Sequence, residues 1–223
     1  MRNVAVLGSA FALLVGAPTY RASAQIADGS FETQAPIEIG TNNGWCYGGG
    51  QTPACTGSGT PWQTSVNAGF QLDTNTDWPG TLTPAGSYYG FIQSGGSLTQ
   101  QFTADASGTF ILNFLDAGRN LNGYGDQTYE VLLNGSPIFN GSTTSGQAFT
   151  DVTTSPFTLV MGNLYTLSFL GTTTADETAY IDAVGLASAV PEPSTWAMML
   201  LGFGAMGVAT RRRHGGQIRT GGA

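Results

Sequence analysis

The chain has 223 residues and a formal charge of −7, but the charge is unevenly placed. Residues 25–189 contain no lysine, one arginine (Arg119) and thirteen acids, a balance of −12. A body this acidic cannot neutralise a nucleic-acid backbone and is repelled by anionic lipid headgroups. With no histidine before His214 and no lysine anywhere, histidine-assisted nucleophiles and Schiff-base chemistry are excluded from the body.

Residues 1–24 read as an export signal. Arg2 is the positive n-region, Val4–Val15 is apolar, and Ala22-Ser23-Ala24 is a small-x-small site, which places cleavage between Ala24 and Gln25. The apolar run is too short to span a bilayer comfortably. Residues 25–189 form the second region. Its two cysteines, Cys46 and Cys55 in "CYGGGQTPAC", are an even, closely spaced pair in an exported chain, and they predict one local disulfide.

From Ile37 to Tyr88 the sequence is rich in Gly, Thr, Asn and Pro, and short strands joined by long loops are expected there. Clearer alternation follows. Leu98, Gln100 and Phe102 share one face, and Phe110, Leu112 and Phe114 share another. "TYEVLLNGSPIF" (Thr128–Phe139) reads as a hairpin turning at Asn134-Gly135. A turn at Gly162-Asn163 leads to a strand with Tyr165, Leu167 and Phe169 on one side. The last strand, "TAYIDAVGLA", puts Tyr180, Asp182, Val184 and Leu186 in phase. Strands every ten to fifteen residues, without amphipathic helices between them, predict an all-β, antiparallel two-sheet sandwich.

"ADGSFET" (Ala27–Thr33), "FLDAGRN…QTYEVLLNG" (Phe114–Gly135) and "AYIDAVGL" (Ala179–Leu186) resemble the first, central and last strands of galactose-binding-like jelly rolls, a group that includes many carbohydrate-binding modules. The resemblance implies a jelly-roll β-sandwich. It also implies a structural calcium held by Glu32 and Asp182, hard oxygen donors of the kind that cation takes. Sugar contact calls for flat aromatic faces beside planar polar groups. The candidates are Trp45, Trp62, Trp78, Arg119 and Tyr124, with Tyr47, Asn120, Asn122 and Gln127 nearby in sequence. For catalysis, only a glycosidase-type carboxylate pair remains open, from Asp116, Asp126 and Glu130 or from Asp73 and Asp77. A non-catalytic body is the expectation.

Residues 190–214 form a third region, "VPEPSTWAMMLLGFGAMGVATRRRH", followed by a cytoplasmic tail, 215–223. A helix over 195–210 would be ~24 Å long, short of the ~30 Å hydrocarbon core. Trp196 suits an interfacial anchor, and Arg211, Arg212 and Arg213 suit a cytoplasmic stop. The order Pro191-Glu192-Pro193, short span, arginine cluster resembles the PEP-CTERM sorting signal, in the variant with Trp-Ala-Met after the motif. That tail also carries an ice-binding label, but the body has no regular threonine ladder to match it. The resemblance implies a Gram-negative exporter that makes exopolysaccharide. It further implies processing by an exosortase after export, transient retention at the inner membrane, and delivery to the cell surface or extracellular matrix. Polysaccharide is the expected partner, and a structural or adhesive matrix role without a defined glycan is the alternative.

Overall fold

Alternating apolar side chains draw the body into two antiparallel sheets, as a computed structural model describing residues 26–57, 60–75, 81–121, 123–189 and 198–204 shows. The first half contributes a short helix, α1 (Ala35–Ile39), and strands β1 (Trp45–Tyr47), β2 (Gln63–Thr64), β3 (Ala68–Leu72), β4 (Tyr88–Gln93) and β5 (Ser97–Thr103). The second half adds β6 (Gly108–Gly118), β7 (Thr128–Leu133), β8 (Ser136–Ser142), β9 (Thr150–Thr153), β10 (Phe157–Leu159), β11 (Leu164–Gly171) and β12 (Thr178–Ser188). One sheet runs β1-β3-β4-β12-β6-β10, with β9 also on β6; the other runs β2-β5-β11-β7-β8.

The core lies between the sheets. Leu98, Phe102, Phe110, Leu112, Phe114, Tyr129, Val131, Leu167 and Phe169 alternate into it from their strands. Aromatic rings meet there edge-on or tilted, including Phe114 on Phe169 at 5.1 Å and Phe31 on Trp62 at 5.2 Å, the geometry that ring quadrupoles favour. The predicted Asn134-Gly135 turn is present with both residues at positive φ (50° and 77°), as a two-residue hairpin with right-handed strand twist requires.

Three expectations are corrected. The stretch from Ile37 to Tyr88 supplies the expected short strands β1, β2 and β3, but it also holds the end of the helix α1, and its β3 pairs with β4, which in turn pairs with β12 within the larger sheet. Both faces of β4 are buried, so its sequence shows no polar alternation. In β12 the predicted phase breaks. The register against β6 slips between Asp182 and Gly185, and Ala183 takes φ 50°, so one extra residue is absorbed in a bulge. Tyr180 and Asp182 therefore point away from the inter-sheet core, while Val184 and Leu186 join it. Finally, Trp62 is a core residue.

The sandwich lies within one unit, Ala22–Glu192. Residues 198–204 are helical, which covers the middle of the span expected at 195–210. No helix among the described residues is long and apolar enough to cross a membrane. The signal segment, Ala24 and Gln25, and Pro191, Glu192, Pro193, Trp196 and Arg211–Arg213 lie outside the described residues.

Candidate functional site

The outer face of the larger sheet carries a second aromatic cluster. Tyr47, Tyr89, Phe91 and Tyr180 project there beside Ala117, with Trp45 and Phe149 packed against them. Tyr89 and Tyr180 lie 4.7 Å apart, and Gln71 donates from Nε2 to the Tyr89 hydroxyl at 3.1 Å. Trp45 meets Tyr47 edge-on at 5.2 Å, and Tyr47 meets Phe91 the same way at 5.2 Å.

At the end of this face the side chains become polar. The Tyr47 hydroxyl donates to Gln93 Oε1 at 2.5 Å, and Gln93 Nε2 donates to Asp176 Oδ1. Arg119 Nη1 reaches the same carboxylate oxygen at 3.5 Å, and its guanidinium carbon lies 5.3 Å from the centre of the Tyr124 ring. Cation–π contact of this kind is worth about 0.5–1 kcal/mol in partly exposed positions. The backbone fixes the cup: the Arg119 N–H donates to Thr178 O at 3.3 Å, and the Thr178 N–H donates to Tyr124 O at 2.7 Å. Gly118 and Gly125 permit this close packing, because a Cβ on Gly118 would lie 1.9 Å from Thr144 O and one on Gly125 2.5 Å from Arg119 O.

Arg119 is 7% exposed, while Tyr124 is 40% exposed and the Asp176 side chain 54%. Thr178 is wholly buried and its hydroxyl has no hydrogen-bond partner among the described residues. Burial pushes the Tyr47 phenol up to about 12, with the Asp176 charge adding to the effect and Arg119 and Gln93 opposing it. Burial also raises Tyr89 and Tyr180. The cup thus offers neutral phenol and amide groups, a cation already matched by a carboxylate, and a half-exposed ring.

Of the residues singled out by sequence, Arg119 and Tyr124 meet in this cup. Trp45 lies on the same sheet face, linked to it through Tyr47. Trp62 does not belong: its ring is 0% exposed between Phe31 and Phe169, and Nε1 donates to Asp28 O at 3.0 Å. Trp78, Asp77 and Asn122 lie outside the described residues. Gln127 is also buried and structural, with Nε2 donating to Ser94 O at 3.0 Å and Glu177 O at 2.9 Å. Gln93, Asp176 and Thr178 are added by the structure. Of the carboxylates considered for catalysis, Asp116 and Glu130 lie on different sides of the smaller sheet. Asp116 is buried and accepts from Tyr129 at 2.7 Å and from Gln147 and Thr150 at 2.9 Å. Glu130 alternates with core residues Tyr129 and Val131, so it faces outward from the other sheet.

A second polar locus joins the first segment of the body to β12. Asp182 is 0% exposed and accepts from the Thr83 hydroxyl and, at 2.6 Å, from the Ala183 N–H. Burial raises its carboxyl to about 7; those two hydrogen bonds oppose the rise, and the Glu32 and Asp28 charges add to it. Glu32 Oε1 accepts from the Ser87 and Tyr88 N–H groups at 2.7 and 2.8 Å. Asp28, Phe31 and Ala183 all hold positive φ, so three of the six such non-glycine residues among the described residues gather here. Three carboxylates thus share one field, and no salt bridge reaches any of them among the described residues. Glu32 and Asp182 are the carboxylates expected to hold calcium; here Glu32 is engaged by two backbone N–H groups, and Asp182 by Thr83 and Ala183. No group of three acidic, histidine or cysteine side chains close enough to hold a metal ion occurs among the described residues. The predicted Cys46–Cys55 disulfide is formed.

Residues 189–213 match the PEP-CTERM protein-sorting motif, so the tail carries that signal. No curated protein matches the chain. Among solved structures, a cyclase from Fischerella sp. TAU in complex with 4-(1H-indol-3-yl)butan-2-one is similar in fold at TM-score 0.50 and 16% identity, covering 76% of this chain and 98% of that one. A family 35 carbohydrate binding module from Clostridium thermocellum aligns at TM-score 0.43 and 18% identity, covering 57% and 92%. The Podospora anserina GH26-CBM35 β-(1,4)-mannanase aligns at TM-score 0.41 and 21% identity; 56% of this chain spans only 26% of that one.

Proposed function

We propose that this is an exported protein, sorted by an exosortase through its PEP-CTERM tail and delivered to the cell surface or extracellular matrix. There its sandwich holds a neutral stretch of exopolysaccharide in the Arg119–Tyr124 cup without cleaving it. The sorting motif at residues 189–213 supports the destination. One observation carries the ligand class: a half-exposed aromatic ring lies over a buried guanidinium that is itself paired with a carboxylate. Sugars present apolar ring faces and hydroxyls that both donate and accept, which fits this combination. A polyanion fits poorly, because Arg119 is already neutralised and the body around it is strongly acidic. The PEP-CTERM variant with Trp-Ala-Met, the Gram-negative host and the structural calcium at Glu32 and Asp182 are parts of the same reading.

Fluorescence titration or pull-down against a panel of neutral and uronate-containing polysaccharides tests it. Binding to neutral polymers that Tyr124→Ala weakens at least tenfold, with unchanged melting, supports the cup. A clean panel with a well-folded protein favours the structural or adhesive reading. Release of reducing ends, lost in Asp116→Asn, would instead establish a hydrolase.

A further inference from the structure

The sandwich ends beside turns that carry little charge and expose three large apolar side chains. Ala189 donates its N–H to Thr109 O at 2.9 Å, so the strand pairing of the body runs into the first residue of the sorting motif. On the other side of β6, Leu159 of β10 pairs with Gly108. The chain exit and the turn after β10 are therefore about two strand spacings apart, ~10 Å. That turn is built firmly. Asn163 donates to Val160 O at 3.1 Å, Gly162 to Ala104 O at 2.7 Å, and Met161 to Ser107 Oγ at 2.9 Å. Yet it holds Val160 (49%), Met161 (57%) and Leu164 (59%) open to solvent. The turns at this end, 103–108, 133–136 and 155–164, contain one charged residue, Asp105, out of the body's thirteen acids.

The chain itself says what this tip meets. Eight residues lie between Ala189 and Met198, a span of at most ~30 Å. Residues 198–204 are helical and expose Met198, Met199, Leu200, Leu201 and Phe203. If that segment enters lipid, the exit end of the sandwich is tethered next to the bilayer. We propose that Val160, Met161 and Leu164 form a lipid-contacting tip that seats the body on a zwitterionic membrane surface while the tail holds it. The charge asymmetry sets the orientation, since the turns at the opposite end carry Arg119, Asp126, Asp176 and Glu177. The inference rests on the sorting reading above, but not on glycan binding.

The test uses the full chain with phosphatidylcholine vesicles carrying bromine on the acyl chains. Met161→Trp reports the tip. Val66→Trp reports the opposite end of β12, because Val66 (52% exposed) precedes β3, whose Ala68 pairs with Ile92, and Ile92 with Ala179. Emission is read as the difference from the unmodified chain in the same vesicles, after circular dichroism shows both variants folded. The added tryptophan at 161 should lose roughly half its emission, as a side chain ~5–10 Å into the headgroup boundary does, and the one at 66 almost none. Flotation of the chain with no quenching at 161 overturns the tip and leaves the sorting reading standing; it would point to solvent or a protein partner there. Equal quenching at both positions, or failure of the chain to float at all, also overturns it.

Discussion

Asp182→Asn separates a strained carboxylate from an ordinary structural one. The carboxyl titrates at about 7 in the folded state against 3.8 for the free side chain, chiefly because it is buried. A raised carboxyl contributes its stability below the unfolded value and loses it as pH climbs through the folded value. With chelator present, the native chain should therefore lose up to ~4 kcal/mol between pH 4 and pH 8 from this group alone. Asp73, also raised by burial, acts in the same direction. Asparagine removes the charge but cannot accept from both Thr83 and the Ala183 N–H, which leaves a donor unpaired at a cost of about 1–3 kcal/mol. The variant should thus be less stable than the parent near pH 4.5 and more stable near pH 8. Urea denaturation in chelator across that range reads the crossing directly. Parallel curves for parent and variant would refute the account of Asp182 as an uncompensated buried charge.

Other outcomes follow from the same structure. Calcium at about a hundredfold excess over its Kd should stabilise the parent near pH 8 by ~3 kcal/mol and leave Asp182→Asn unmoved; identical melting curves in calcium and chelator would remove the metal from the account. Replacing both Cys46 and Cys55 by serine opens a short covalent loop and should cost about 3 kcal/mol in denaturant titration, and no loss would contradict the disulfide's role. Trp62→Ala should cost about 3–5 kcal/mol as a core deletion, so a variant that keeps full stability but loses glycan would return Trp62 to the binding face.

Much of the sandwich was readable because several strands of the smaller sheet obey simple alternation. In β5 and β11 the buried positions alternate (Leu98, Gln100 and Phe102; Tyr165, Leu167 and Phe169), and the Asn-Gly turn marks the hairpin of β7 and β8. Reading failed where the physics is not periodic. β4 is covered on both faces, α1 is only five residues long, and the bulge at Ala183 reverses the facing of β12 midway. The cup was half legible. Arg119 and Tyr124 are five residues apart, close enough to suggest a shared loop. Gln93 and Asp176 are separated by 83 residues and meet only because β4 and β12 are neighbours in the sheet, a pairing that local sequence does not encode. Trp62 misled because a large aromatic serves core and ligand equally well, and only burial distinguishes them.

The central claim is that the Arg119–Tyr124 cup holds a neutral glycan. Titrating the protein and its Tyr124→Ala variant with whichever neutral polysaccharide the panel shows to bind tests this most directly, by calorimetry at matched thermal stability. The account predicts saturable binding by the parent, weakened at least tenfold in the variant and little changed by salt. Equal affinity for the two proteins, or binding that collapses as salt is raised, would contradict it.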